Sequence, residues 1–258
     1  MPQYIVFSQT NKKQPLIPKN KPVIIPKNTA EFKYLYCMTN DIFGLAISDY
    51  YSTKKENSIK VISNDFDDDE IPVPYLFRSY SEMPEVEQKA LDLSKGNVLD
   101  VGCGAGSHSL YLQNSKKLTI TAIDTSEGAI NVCKSQGILN AHCQDFYKHN
   151  QKYDTILLLM NGSGIVGTLN NFNSFFTHIK TLLNPKGQIL LDSSDLIYLF
   201  ENDNGEYWVD AAKGYYGEMQ YQLNYNNQTS EIFDWLYVDY NTLPVSYTHL
   251  TLPTIYPV

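Results

Sequence analysis

The chain has 258 residues, 43% hydrophobic and 19% charged, with a formal net charge of −8. That is enough chain to bury one sizeable core, and the acidic balance disfavours an electrostatic grip on nucleic acid. The four cysteines show no paired metal-ligand spacing and no apolar run reaches the ~18 residues of a membrane span, so neither a metal site nor a membrane helix is expected, and unpaired thiols suit the cytoplasm.

Residues 1–37 carry Pro15, Pro18, Pro22 and Pro26 among lysines and asparagines, with no sustained helical or strand period. They read as a disordered or spurious extension, and Met38 as the better start. Residues 38–95 form a lead-in. Asn40 or Asp41 caps a helix opening over 41–46. The acidic run 65–70 reads as a solvated loop, since it lacks the glycine and final glutamate of a calcium loop. Pro72 and Pro74 precede Tyr75, Phe77, Arg78 and Tyr80. Arg78 is the one arginine among twenty lysines and arginines. A guanidinium offers carboxylates a planar fork that lysine lacks, which marks Arg78 as a candidate binding residue beside the plainer reading of a surface charge. Pro84 and Glu85 start a helix over 84–93, with Val86, Ala90, Leu91 and Leu93 on its apolar face.

The most informative stretch is 98–112, VLDVGCGAGSHSLYL. An apolar strand over 97–101 runs into Gly102, Gly104 and Gly106, and a helix with Leu110 and Leu112 follows at once. Strand, glycine turn and helix build the nucleotide site of an open α/β sheet: glycine lets backbone approach a ligand, and the helix N-terminus offers free N–H groups. A dinucleotide fingerprint needs a third glycine where Ser107 stands, and Asp100 inside the strand would repel a pyrophosphate. A second strand over 118–124 ends in Asp124, 20 positions after Gly104 and near the spacing at which an acid reaches ribose hydroxyls. Ser126 opens a helix carrying Ile130 and Cys133, which ends near Gly137. A short strand over 141–146 exits through Asp145 and Phe146. A buried strand over 153–160 leads into Asn161, Gly162 and Ser163. An amphipathic helix with Phe172, Phe175, Phe176, Ile179, Leu182 and Leu183 stops at the NPKG of 184–187, and a fifth strand spans 188–192. Beyond it, 215–225 and 232–240 read as strands about a turn-rich 226–230.

The D-x-G-x-G of Asp100 to Gly104, with the four segments that follow in order, resembles the class I S-adenosylmethionine-dependent methyltransferases. It is closest to an uncharacterised bacterial group of small methyltransferases whose fourth strand reads like ILLLMNG at 156–162; the family's L-x-P-G-G turn is matched with Lys186 in place of one glycine. The resemblance implies an α/β fold with a Rossmann-like doubly wound sheet, S-adenosyl-L-methionine as cofactor, and methyl transfer to an unidentified small-molecule acceptor. It implies that Asp100 and the backbone of Gly102, Cys103 and Gly104 meet the methionine end. Asp124, with Thr125 beside it, accepts from the ribose hydroxyls; Asp145 meets the adenine amino group with Phe146 nearby; Met160 and Asn161 exit beside the cofactor. The lead-in often covers the site in this fold, making Tyr75, Phe77, Arg78 and Tyr80 lid candidates; His108, in the first turn after the glycine loop, is a further substrate-side candidate. Helix packing for the aromatics and a helix-cap role for His108 are the competing readings. No catalytic base stands out, although Asp192 and Asp195 end the fifth strand where acceptors often bind. The N-P-P-Y motif of amino- or amide-nitrogen methylation is absent. A catalytically inactive cofactor-binding protein and an NAD-dependent oxidoreductase are the alternatives.

The methyltransferase domain is expected over 96–243. Residues 245–254, VSYTHLTLPT, resemble the in-frame translation of a transposase adapter used to prepare sequencing libraries, so 244–258 is expected to be adapter-derived. On that expectation the sheet is C-terminally truncated. It lacks the family's last helix and antiparallel final strands, and the fifth strand keeps an open apolar edge.

Overall fold

A computed structural model describes residues 3–9, 41–210, 212, 214–245 and 254–257. Its strands are β1 (Gln3–Gln9), β2 (Ser58–Ser63), β3 (Asp69–Pro72), β4 (Asn97–Val101), β5 (Thr119–Asp124), β6 (Ala141–Cys143), β7 (Tyr153–Leu158), β8 (Leu183–Ser194), β9 (Glu218–Tyr225), β10 (Gln228–Thr229), β11 (Phe233–Leu236) and β12 (Thr254–Pro257). Its α-helices are α1 (Ile42–Thr53), α2 (Glu85–Leu93), α3 (Ser107–Asn114), α4 (Glu127–Ser135), α5 (Phe172–Leu182) and α6 (Thr242–Val245).

The main sheet has the order β12-β1-β8-β7-β4-β5-β6, and every neighbouring pair is parallel. The chain moves outward from β4 through β5 to β6, then returns to the other side of β4 with β7 and β8. That reversal leaves a crevice at the carboxyl ends of β4 and β7, where open α/β sheets bind ligands. The Rossmann-like doubly wound sheet expected over 97–192 is therefore present.

Strand alternation sorts the core. Val98, Leu157 and Leu190 pack with Met83, Val86, Ala90, Leu91 and Leu112 under α2 and α3. Their neighbours Leu99, Ile156, Leu158, Ile189 and Leu191 pack on the opposite side with the phenylalanines of α5. Because side chains alternate with period two, Asp100 and Asp192 follow Val98 and Leu190 onto the α2/α3 side.

A second, antiparallel sheet joins the lead-in to the later insertion. It runs β10-β9-β2-β3, with β11 also on β9; Lys60 pairs with Asn224 and Trp235 with Met219. The strand signals at 215–225 and 232–240 match β9 and β11. The solvated loop expected over 65–70 is shorter, because Asp69 and Glu70 begin β3 and pair with Val61 and Lys60. Only Ile59 is buried in β2, so its sequence carries little period-two signal.

Two expectations change at the other edge. Residues 3–9, read as part of a tail, form β1 along β8, in register from Gln3 opposite Gln188 to Gln9 opposite Ser194. The apolar, β-prone run YIVF drives this, a signal outweighed in the sequence by the prolines that follow. The fifth strand of the motif region thus has a neighbour instead of an open edge, and two parallel strands stand beyond it where none were expected. Residues 10–40 and 246–253, including most of the proposed extension and of the adapter-like stretch, lie outside the described residues.

The lead-in is fastened to the sheet through α1 and α4. Asp41 caps α1 by accepting from the Gly44 N–H at 2.9 Å. Its other oxygen accepts from the Gly128 N–H and the Ser126 hydroxyl, each at 2.9 Å, at the start of α4. The two helices touch backbone to backbone: a Cβ at Gly128 would lie 2.7 Å from the Gly44 carbonyl. Gly128→Ala is therefore expected to destabilise the fold by about 1–3 kcal/mol, because backbone cannot yield as a side chain can. A shift in the urea midpoint at unchanged m-value measures it.

Candidate functional site

The crevice begins at the glycine turn. Gly102 has φ +69, faces solvent, and a Cβ there would meet nothing within 4 Å. This is open space above a strand end, in a backbone conformation that L side chains rarely adopt. The turn is fixed from below: the Gly102 and Cys103 N–H groups both donate to the Ile123 carbonyl. It is fixed from the side by Asp124, whose carboxylate accepts from the Gly104 N–H and the Ser126 N–H at 2.9 Å each. Burial pushes the Asp124 carboxyl up, and those two backbone bonds pull it partly back. Thr125 follows, exposed at the strand exit. Cys103 is buried, with its sulfur 3.8 Å from that of Cys133, so the turn offers its backbone rather than this side chain.

Asp100 is buried and accepts from the Ser109 hydroxyl at 2.6 Å. Burial pushes its carboxyl up, against the opposing pull of His108 and of the Ser109 bonds. Beside it the structure brings together residues from three segments. Arg78 donates through one terminal nitrogen to both carboxylate oxygens of Glu87 and through the other to the Tyr75 carbonyl at 2.6 Å. Its guanidinium lies 3.9 Å from the centre of the Tyr75 ring. His108, the second residue of α3, meets the same Glu87 through Nε2 at 2.6 Å. Burial alone would raise the Glu87 carboxyl; the His108 hydrogen bond and the Arg78 guanidinium outweigh it and hold it below the usual range. The single arginine is thus buried and paired, not a surface charge.

Asp192 closes this side. It is buried at the end of β8 and accepts from the Gly162 N–H at 2.9 Å and the Met160 N–H at 3.2 Å. It pins the turn after β7, where Met160 and Asn161 both have positive φ. Met160 is 37% exposed and free to contact a ligand. The Asn161 side chain is spent on the Ser194 N–H and the Leu236 carbonyl, so it braces the turn.

Other expected residues lie differently. Asp145 caps a short turn through the Tyr147 N–H at 2.9 Å and stays half-buried at the exit of β6. Phe146 is turned inward against Phe175 and His178, in the core under α5 instead of on a ligand-facing surface. Its own apolar area explains the inward turn. Tyr80 stacks on Tyr111 at 4.2 Å and donates to Asp92, docking the lead-in on α2 and α3 away from Arg78. Glu87 was missed by sequence reasoning. Its signal is a carboxylate on the buried stripe Met83, Glu87, Ala90, Leu91 of an amphipathic helix, a position that demands a partner.

The residues at the crevice fit a cationic nucleoside. Three carboxyls (Asp100, Asp124 and Asp192) line the strand ends, and the one guanidinium nearby is committed to Glu87. A pyrophosphate would face those acids; a sulfonium and an amino group suit them. Among the described residues no cluster of three or more His, Cys, Asp or Glu is placed to hold a metal ion, and no helix is long and apolar enough to cross a membrane.

Comparison with known proteins finds methyltransferases. A family model described as a methyltransferase domain matches residues 75–234. The structure is similar to that of an S-adenosylmethionine-dependent methyltransferase from Bacteroides fragilis in complex with S-adenosyl-L-homocysteine. The TM-score is 0.76, with 42% identity, covering 81% of this chain and 85% of that one. A methyltransferase structure from Clostridium acetobutylicum shares 14% identity at a TM-score of 0.44, covering 66% of this chain and 81% of that one. Ribosomal RNA large subunit methyltransferase E of Borrelia duttonii is 28% identical over 109 residues, 38% of this chain. The match spans 56% of that relative, so this chain covers little more than half its length.

Burial pushes the Asp192 carboxyl from its ordinary 3.8 up to about 6, with the Gly162 N–H pulling the other way. The folded chain therefore holds this proton more tightly than the unfolded chain. The stability it contributes is full below pH 3.8 and is lost as pH rises through about 6. Asp192→Asn is expected to remove that downward slope while leaving those of Asp100 and Asp124. Urea midpoints measured from pH 4 to 7 check this.

Proposed function

We propose that this chain, which belongs to the methyltransferase-domain family of S-adenosylmethionine-dependent enzymes, methylates a small-molecule acceptor bound above the ends of β4 and β8, beneath residues 73–78. The observation that carries the reading is the open glycine turn at Gly102 between Asp100 at its strand end and Asp124 on its side, with the preceding segment held at the far end of the turn by the Ser107 hydroxyl on the Leu76 carbonyl at 2.6 Å and by Arg78 on Glu87. S-adenosylmethionine supplies a methyl group already activated on a sulfonium; the protein's part is to align the acceptor and exclude water.

Asp100 and the backbone of Gly102, Cys103 and Gly104 take the methionine end. Each Asp124 oxygen already accepts one backbone N–H and keeps a lone pair for a ribose hydroxyl. Thr125 lies alongside, Asp145 is left for the adenine edge, and exposed Met160 flanks the cofactor. Phe146 supports the adenine side from the core, and Asn161 holds the turn that carries Met160. Tyr75, 42% exposed and stacked on Arg78, faces the acceptor. The net charge of −8 and the acidic crevice argue against a ribosomal RNA acceptor of the kind named for the Borrelia relative. The two unbridged thiols 3.8 Å apart suit the reducing cytoplasm.

Calorimetry tests the site. S-adenosylhomocysteine is expected to bind and NAD not to; NAD binding without S-adenosylhomocysteine binding would overturn the reading. Asp124→Ala removes charge-assisted hydrogen bonds and is expected to weaken S-adenosylhomocysteine binding about ten- to a hundredfold. Unchanged affinity in a folded variant would exclude this role for Asp124.

A further inference from the structure

Resting on that reading of the site, we propose that His108 accepts the proton that the acceptor sheds on methylation, through Nδ1, and that Glu87 is its positioning residue. His108 stands immediately after the glycine turn, on the α2/α3 side of the sheet that also carries Asp100 and Asp192. Its Nε2 is committed to Glu87 at 2.6 Å. Glu87 is paired with Arg78 and held in its ionised form, and a carboxylate only accepts hydrogen bonds. Nε2 must therefore carry the hydrogen, which leaves the neutral ring's lone pair on Nδ1. Nδ1 makes no hydrogen bond among the described residues, and the side chain keeps 9% of its surface accessible.

The other groups facing the ring leave this role to His108. Asp100 accepts from Ser109, and both oxygens of Asp192 accept backbone N–H groups. The arrangement is a base oriented by a carboxylate that is itself fixed by a guanidinium. In the step, the acceptor X–H gives a lone pair to the sulfonium methyl carbon and the X–C bond forms. The C–S bonding pair stays on sulfur as a neutral thioether, and the X–H proton passes to Nδ1. The chemistry suits acceptors that must lose a proton on methylation, such as a hydroxyl or a protonatable amine, rather than a thioether or tertiary amine.

Nitrogen-15 spectra of the histidine rings in the full chain, assigned with His108→Asn, test the proposal with S-adenosylhomocysteine as probe. The expected result is a neutral Nε2–H tautomer at His108 whose Nδ1 resonance moves when S-adenosylhomocysteine saturates the protein. Glu87→Gln is expected to relax the tautomer preference while the protein stays folded and still binds S-adenosylhomocysteine. An Nδ1–H tautomer, or an Nδ1 signal unmoved by saturating S-adenosylhomocysteine, overturns the proposal and leaves the cofactor site intact. Failure of S-adenosylhomocysteine to bind at all, read by calorimetry on the same sample, overturns both. With labelled S-adenosylmethionine and a panel of small hydroxyl and amine acceptors, His108→Asn is expected to lower turnover about a hundredfold or more, with cofactor affinity retained.

Discussion

A carboxylate on the buried face of α2 organises the site. Glu87 accepts from Arg78 of the lead-in and meets His108 of α3, and each of the three side chains is nearly out of solvent. A buried charge with a missing partner costs about 3–5 kcal/mol, far more than an intact pair contributes. The segment from Tyr75 to Arg78 is held beside the glycine turn by that pairing and by the Ser107 hydroxyl on the Leu76 carbonyl. The helix carrying His108 is held to the same point. Charge pairing thereby ties the cover of the crevice to its floor.

The fold was legible from residue 97 to 192 because each element there has a physical signature of its own. The strands are short apolar runs, the turns need glycine, and α5 repeats apolar residues at helical spacing. The second sheet was only half legible. β9 carries Tyr221 and Tyr225 and β11 carries Phe233 and Trp235, whereas β2 buries just Ile59 and β3 starts with two acids and ends in proline. Such strands are specified by their partners more than by their own sequence. The same holds for β1, whose apolar run sits next to a proline-rich stretch that suggested a tail.

The site divides along a similar line. Asp100, Gly102 and Asp124 are recognisable because backbone geometry at a strand end restricts which residues serve there. Arg78 stood out by its rarity, but rarity says nothing about its partner. Glu87 is separated from Arg78 by a helix start and from His108 by a strand and a turn, and only the packing of α2 on the sheet unites them. Phe146 shows the opposite failure: an aromatic at a strand exit is equally suited to stacking on a base or to filling a core, and the phenylalanines of α5 decided the outcome.

The pairing of Lys60 with Asn224 joins segments made at very different moments of synthesis. β2 and β3 are translated early, and the whole of β4 to β8 must follow before β9 is made to pair with them. Contacts so distant along the chain close slowly. Every residue of the crevice floor, from Asp100 to Asp192, thus lies in sequence between the two halves of that sheet, whose closure encloses the site-bearing stretch in a single long loop.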